Sequence, residues 1–300
     1  MSYRLRIDNE RVESLARVIK KIGINSILKL EEKDPQYLAL KDIYDYVNDV
    51  GITCLLAVCN ALTSYRLSGS GEEYWKEFAN FIKSTRIDLD PSKVVDLVIE
   101  FLYHSNINRF LRVQKASRLR RLKLSGRHRS IIHECYKLEP NLLRLNVIIA
   151  DGVKADPRSK TIVFAVKMAY YSLRISGKNI IPPIDISIPV DRRIALLSYT
   201  SGILEFEGIR PESPSVLELK LLSKPSIIRD AWFRVAFLSN TPPLSIDSLL
   251  WVIARGIGSV PLHILREKAF NFMTKVLGKD KSSIIIELLQ EIFRKPLPKS

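Results

Sequence analysis

Cysteine, glycine and long apolar runs are all scarce in this sequence, and each scarcity excludes a class of protein. The three cysteines, Cys54, Cys59 and Cys135, form no CxxC pair, so neither a disulfide framework nor a four-thiolate metal site is expected. The four histidines show no metal-ligand spacing, and we predict no metal and no other cofactor. Only 12 of the 300 residues are glycine, which excludes collagen-like sequence, and a 46% apolar content predicts a globular chain with a sizeable core.

No run of residues approaches the roughly 18 consecutive apolar side chains that a membrane-crossing helix needs. The first six residues, MSYRLR, also lack the apolar core of a signal peptide. We therefore expect a cytoplasmic protein with no targeting segment and no membrane partner. Nothing in the sequence requires a second chain, so we expect a monomer.

Acidic residues are too few to balance the basic ones, since 32 Asp and Glu against 47 Lys and Arg leave a formal charge of +15. This excess predicts an anionic partner. The segment 109–129 contains no acidic residue and is the most basic part of the chain. We predict that it grips the phosphate backbone of a nucleic acid, although a solvated helix face followed by a flexible loop is the plainer alternative. The residues assigned to that contact are Arg112, Lys115, Arg118, Arg120 and Arg121.

Apolar residues recur at steps of three and four along almost the whole chain, which predicts an all-α fold. Strand-like alternation is scarce, and the prolines of the segment 180–189 predict an extended connector there. The predicted helices are 12–22, 37–48, 51–66, 72–84, 91–103, 109–121, 140–150, 157–176, 192–204, 215–222, 245–256, 263–277 and 281–294.

The segment 151–160 predicts a tight turn between two helices, with Asp156 as the cap and Pro157 in the first helical position. On the second helix Lys160, Phe164 and Lys167 fall at i, i+4 and i+7, so one stripe carries two amines and a ring. A lysine in such a place is usually a surface side chain with its amine in water. Asp191 begins a later helix, where it is either an ordinary N-cap or a functional carboxylate.

Five separated motifs, taken in this order, resemble the archaeal 8-oxoguanine DNA glycosylase/lyases, a divergent branch of the helix-hairpin-helix DNA glycosylase superfamily. The resemblance runs from about residue 10 to about residue 256. The motifs are Asp34-Pro35-Gln36-Tyr37; Ser64-Tyr65-Arg66-Leu67 with Gly71-Glu72-Glu73-Tyr74-Trp75; Lys160-Thr161-Ile162-Val163-Phe164; Ile188-Pro189-Val190-Asp191; and Pro242-Pro243-Leu244 with Asp247-Ser248-Leu249-Leu250-Trp251.

The resemblance implies two helical lobes with the active site between them. Residues 1–64 and 192–300 would form one lobe, and residues 65–191 would form a central lobe with the helix-hairpin-helix element at about 140–176. It also implies a nucleoid-associated repair enzyme whose partner is DNA containing 8-oxoguanine. Lys160 would be the nucleophile that forms a Schiff base before β-elimination, and Asp191 the catalytic carboxylate. Lys167 would tune the amine of Lys160, and on spacing alone it is also the rival nucleophile.

The same resemblance implies a pocket for the extruded base. Phe164 and Trp251 would stack on the purine, and the Asp247 carboxylate would accept hydrogen bonds from N1–H and the N2 amino group of guanine. The Pro189 carbonyl would accept the N7–H that distinguishes 8-oxoguanine from guanine. Without the resemblance, the aromatic residues would be read as core and the polar ones as capping or surface residues. The remaining positions that match base contacts are Gln36, Ser64 and Trp75.

Two features depart from the resemblance. The predicted hairpin holds one glycine, Gly152, where the superfamily normally has a glycine-rich turn, and the tail 258–300 lies outside the matched motifs. We interpret that tail as an added helical layer. Two alternatives for function stay open from sequence, namely a noncatalytic helix-hairpin-helix nucleic-acid-binding protein and a glycosylase for another damaged base.

Overall fold

A computed structural model describes residues 3–208, 211 and 213–298 of the protein. Within these residues there are sixteen α-helices and two short strands, so the predicted all-α class is confirmed. No helix in this described part is long and apolar enough to cross a membrane.

The chain divides into two compact units. The central unit is Lys33–Pro183, and the terminal unit combines Met1–Glu32 with Ile184–Ser300. The sequence placed the first boundary near residue 64 and the second near residue 191. In the structure the first boundary comes earlier because the two helices spanning residues 35–63 pack within the central unit.

The central unit consists of eight helices, one of which is buried along almost its whole length. They are α3 (Pro35–Val47), α4 (Val50–Thr63), α5 (Gly71–Lys83), α6 (Pro91–His104), α7 (Arg112–Leu124), α8 (Arg127–Tyr136), α9 (Leu142–Val153) and α10 (Lys160–Ile175). Every residue of α4 from Gly51 to Thr63 is buried, as expected of a helix that is apolar on all sides. It packs against α10, α8, α6, α3 and α7, and α10 is its most extensive partner.

The terminal unit is held together by elements from both ends of the chain. Its elements are β1 (Arg4–Ile7), α1 (Asn9–Ile22), α2 (Ile24–Glu31), α11 (Arg192–Thr200), β2 (Leu204–Glu207), α12 (Pro214–Leu222), α13 (Pro225–Ser239), α14 (Pro243–Ile253), α15 (Leu262–Leu277) and α16 (Ser282–Ile292). The strands pair antiparallel, with Leu5 opposite Phe206. The tail forms α15 and α16, and α16 packs on α1, so the tail is an added helical layer of this unit.

Three helices and both strands were not predicted from sequence. The residues of α8 were assigned to a loop because arginines and histidines hide its apolar stripe of Ile131, Ile132 and Cys135. The predicted helix 192–204 ends at Thr200, since Gly202 has a positive φ of 78° and β2 begins at Leu204. The other missed helices are α2 and α13.

The hairpin between α9 and α10 differs from its predicted form. Asp156 accepts the Arg158 N–H at 2.7 Å and so caps a turn, while α10 begins later, at Lys160. The left-handed residue of the turn is Lys154, with φ 54°, and Gly152 lies buried in the last turn of α9. A methyl group on Gly152 would collide with Leu122 of α7 and lie 3.0 Å from Cβ of Arg127. Gly152 therefore allows close helix packing and is not the turn glycine.

We predict that Gly152→Ala lowers the free energy of unfolding by about 1–3 kcal/mol, because the added methyl overpacks the contact of α9 with Leu122. Urea unfolding measures the change. Gly71→Ala is the matched control, since a methyl there would meet only Nε2 of Gln36, at 3.9 Å, and its stability should change by less than about 0.5 kcal/mol. Equal stability of the two variants would contradict the prediction.

Candidate active site

Lys160 is the first residue of α10, and it is exposed. The preceding Ser159 is in the extended conformation of an N-cap, but its side chain makes no cap hydrogen bond. The next residue, Thr161, accepts a hydrogen bond from the guanidinium of Arg118 through its hydroxyl, at 2.8 Å. Lys160 is therefore an exposed residue at the start of a helix whose first turn is tied to α7.

Lys167 lies two turns further along α10 in very different surroundings. It is buried, with 1% exposure, and its amine lies 5.4 Å from the centre of the Tyr171 ring. The Tyr171 hydroxyl donates to Asp34 at 3.1 Å, and Asp34 in turn accepts the backbone N–H of Gln36 at 2.9 Å. The predicted base-contact residue Gln36 is thus fixed at the start of α3 by a chain of contacts that begins on α10.

Three aromatic rings of the central unit, those of Phe164, Trp75 and Phe78, contact one another in series. Phe164 is half-buried and meets Trp75 edge to face, with ring centres 6.3 Å apart. Trp75 is 1% exposed and meets Phe78 in the same way, at 6.1 Å. The predicted stacking role fits Phe164, whereas Trp75 lies behind it as a core residue that fixes the orientation of its ring.

Ser64 ends α4, where its hydroxyl donates to the Ala61 carbonyl at 3.0 Å. Two cations of α7 interact with the following Tyr65. The amine of Lys115 lies 4.7 Å from the centre of its ring, and the guanidinium of Arg118 interacts electrostatically with its side chain. The loop that carries Ser64 is therefore anchored to α7.

In the terminal unit, one arginine connects two of the predicted functional residues of that unit. Asp191 is the N-cap of α11 and accepts the Ile194 N–H at 3.0 Å, as its position in the sequence predicted. Its other oxygen pairs with Arg193 at 3.2 Å. The Arg193 guanidinium also lies 5.8 Å from the ring centre of Trp251, and that of Arg255 lies 5.6 Å from the same centre. Trp251 thus carries two cations, and one of them orients the carboxylate.

The other predicted contacts of this unit are buried. Asp247 is 6% exposed within α14, one turn before Trp251, and Pro189 is buried at the end of the extended connector. Among the described residues, no group of three His, Cys, Asp or Glu side chains is arranged to hold a metal ion.

The basic segment is less exposed than its sequence predicts. Arg120 and Arg121 are exposed, but Arg112 and Arg118 are half-buried. Lys115 has no exposed surface, and its amine donates to the Asn108 side chain. It lies on the buried face of α7 with Ala116, Leu119 and Leu122, so its assignment as a phosphate contact does not hold in this structure.

A polar network surrounds Lys115. Asn108 donates to the Thr63 carbonyl at 3.1 Å and to the Tyr74 hydroxyl at 2.9 Å. Burial lowers the pKa of Lys115 from its usual value to about 8, and the nearby charge of Arg112 adds to the shift. This amine therefore connects the end of α4 to the start of α7, and burial makes its protonated form less favourable than it is in water.

A model of the AGOG family, described as N-glycosylase/DNA lyase, matches residues 16–283 of this chain. The protein belongs to this family. The N-glycosylase/DNA lyase of Pyrobaculum aerophilum is 31% identical over 251 residues, which are 82% of this chain and 87% of that protein. The one from Aeropyrum pernix is 29% identical over 301 aligned positions, with 98% of each chain covered, so that alignment includes the tail.

Among solved structures, the 8-oxoguanine DNA glycosylase of Pyrobaculum aerophilum in complex with 8-oxoguanosine is similar to this chain. The TM-score is 0.72 at 26% identity, with 95% of this chain and 97% of that chain covered. This AGOG-family protein is therefore an N-glycosylase/DNA lyase that acts on DNA. The resemblance drawn from the five motifs is confirmed, and the noncatalytic alternative loses its support.

Sequence reasoning missed two groups of residues at this AGOG-family site. One group is Arg193 and Arg255, which lie close to the Trp251 ring, and the other is Tyr65, which interacts with two cations of α7. The signal for Arg193 was its place two residues after Asp191, but its contact with Trp251 depends on how α11 packs against α14. No sequence spacing indicates the contacts of Tyr65.

The lowered pKa of Lys115 makes stability depend on pH. Between about pH 8 and about pH 10.4 the unfolded chain holds a proton on this lysine that the folded chain has lost, so the free energy of unfolding rises with pH in that window. We predict that the free energy of unfolding of the wild type minus that of Lys115→Met rises by up to about 2 kcal/mol from pH 7 to pH 10.

Urea unfolding at four pH values measures this difference. Lys93→Met is the control, because Lys93 is exposed and its pKa is raised by Asp88. The difference in free energy of unfolding between the wild type and this variant should stay constant with pH or change in the opposite direction. A Lys115 difference that is constant from pH 7 to pH 10 would contradict the prediction.

Proposed function

We propose that this enzyme excises 8-oxoguanine from DNA through a Schiff base on Lys160 and then cleaves the strand by β-elimination. The observation that carries the choice of nucleophile is the contrast between the exposed Lys160 and the buried Lys167 on the same stripe of α10. An attacking amine has to reach the sugar of an extruded nucleotide, and Lys160 is the accessible one.

In the first step the amine of Lys160 attacks C1′ while the bond from C1′ to N9 breaks and its electron pair leaves with the base. The sugar ring opens as the nitrogen forms an imine with C1′. Loss of a proton from C2′ then expels the 3′ phosphate, which cleaves the strand. Asp191 stabilises the positive charge that develops on the sugar and assists the proton transfers.

Recognition of the base is assigned to the residues that the family motifs indicate. Phe164 and Trp251 offer ring faces for stacking, and Asp247 accepts the N1–H and N2 protons of a guanine. The Pro189 carbonyl accepts the N7–H that oxidation adds, which separates 8-oxoguanine from guanine. Gln36 and Ser64 complete the base contacts, with Trp75 supporting Phe164 from behind. The complex of the Pyrobaculum aerophilum enzyme with 8-oxoguanosine supports this substrate over another damaged base.

DNA backbone binding is assigned to the exposed cations of the basic segment, Arg120 and Arg121. We also propose that the enzyme acts as a monomer in the cytoplasm.

Lys160→Gln should abolish the covalent adduct that borohydride traps between the enzyme and a duplex containing one 8-oxoguanine, because no amine remains to form the imine. A denaturing gel measures the adduct and the strand cleavage. Lys154→Gln is the matched control, since Lys154 is an exposed lysine of the same hairpin, and it should trap like the wild type. An undiminished adduct with Lys160→Gln would move the nucleophile to Lys167.

Asp247→Asn should reduce the rate of 8-oxoguanine excision at least about tenfold while the affinity for abasic DNA changes less than about twofold. The physical reason is the loss of one charged acceptor for N1–H and the N2 amino group, a contact that abasic DNA lacks. Single-turnover kinetics and binding titration measure the two quantities. Asp230→Asn, at an exposed position of α13, is the control. Equal losses of excision rate and abasic-DNA affinity would argue against a base contact.

A further inference from the structure

Arg118 was assigned to DNA from its sequence, but its contacts in the structure lie inside the central unit. Its guanidinium donates to the Thr161 hydroxyl at 2.8 Å and to the Leu62 carbonyl at 3.4 Å, and it interacts electrostatically with the nearby Tyr65 side chain. Three segments of the chain, the end of α4, the loop after it and the start of α10, therefore meet at one side chain.

Burial makes this arrangement costly for a cation. Removal from water lowers the pKa of the Arg118 guanidinium, and Tyr65 opposes part of that shift. A guanidinium holds several acceptors at once because its five N–H groups form a rigid planar fork. The energetic cost of burying the charge is offset only where the N–H groups of the guanidinium donate to acceptors. Because the fork is rigid, these hydrogen bonds fix the distances among the acceptors.

Two of these partners stand next to residues of the proposed site. Thr161 follows Lys160 directly, and Tyr65 follows Ser64 directly. The N-cap residue Ser159 makes no side-chain cap hydrogen bond to the first turn of α10. The hydrogen bond from Arg118 to Thr161 therefore adds a side-chain restraint to this helix end, beside the packing of the buried Ile162 and Val163.

We propose that Arg118 is a positioning residue, which fixes the first turn of α10 against the Ser64–Tyr65 segment and so holds Lys160 in its attacking position. This inference rests on the proposed function, because it takes Lys160 as the nucleophile. It assigns Arg118 to the chemical step and removes it from phosphate binding.

The test separates the two roles by kinetics and by salt. With enzyme in excess over a duplex containing one 8-oxoguanine, Arg118→Gln should excise the base about 10- to 100-fold more slowly than the wild type. The slope of log affinity against log salt concentration should stay at its wild-type value. Arg121→Gln provides the reference for a lost phosphate contact, which lowers that slope by about 1. Lys93→Gln, an exposed cation outside the site, should leave the excision rate unchanged.

A double-mutant cycle with Thr161 tests whether the effect runs through the observed hydrogen bond. Thr161→Val should slow single-turnover excision in the same direction as Arg118→Gln, and the double variant should be no slower than Arg118→Gln alone. Thr161→Ser keeps the hydroxyl and should restore the rate, and Arg118→Lys, which keeps one donor, should restore part of it. If Arg118→Gln lowers the melting temperature, Thr161→Val carries the test, because it removes a single hydroxyl.

Two outcomes would overturn the inference. One is a salt slope that falls by about 1 in Arg118→Gln with an unchanged excision rate, which would return the residue to phosphate binding. The other is a double variant whose slowing is the product of the two single effects. A wild-type enzyme that gives no borohydride adduct would instead overturn the proposed function, so the two failures are distinguishable.

Discussion

The packing of α10 against the buried helix α4 is the contact on which the central unit depends. The residues of α10 from Ala165 to Leu173 are buried without interruption, so this part of the helix is enclosed on all sides. Lys160, at the start of the same helix, is exposed. A helix that is fixed by packing along its length and exposed at its first residue is a suitable support for the proposed nucleophile.

Cations inside the central unit have a different role from cations on its surface. Lys115 and Arg118 lie on the inner side of α7, where they hold Asn108, Tyr65 and Thr161. A neutral side chain of similar size would avoid the cost of desolvation, but it could not donate to several acceptors in fixed directions. In this unit the buried cations lower the stability of the fold, but their contacts fix the positions of the loop after α4 and of the start of α10.

Periodicity predicted most helices of this fold because their apolar stripes are regular. It could not divide the chain correctly between the units, since a helix that is buried on all sides, such as α4, carries no stripe to show which neighbours it packs against. The motifs identified Lys160 and Asp191, and those positions depend on short local patterns. Lys115 was misjudged because its charge was considered and its place on the stripe with Leu119 and Leu122 was not.

The contacts that tie the site together were not predictable in the same way. Arg193 touches both Asp191 and Trp251, and Arg118 touches both Leu62 and Thr161, which are far apart in sequence. Such contacts depend on the crossing of helices, and one sequence does not contain that information. From sequence alone, a charged side chain on a half-apolar helix is predicted to be an ordinary surface residue.

The division of the chain into a continuous central unit and a discontinuous terminal unit also sets an order of folding during synthesis. All of Lys33–Pro183 has been translated before Asp191 is made, so α10 can form with its complete set of packing partners. The terminal unit has to wait, because α1 packs on α13 and α16, which follow the central unit in the chain. The helices α1 and α2 are therefore synthesised before the central unit, but their packing partners are synthesised after it.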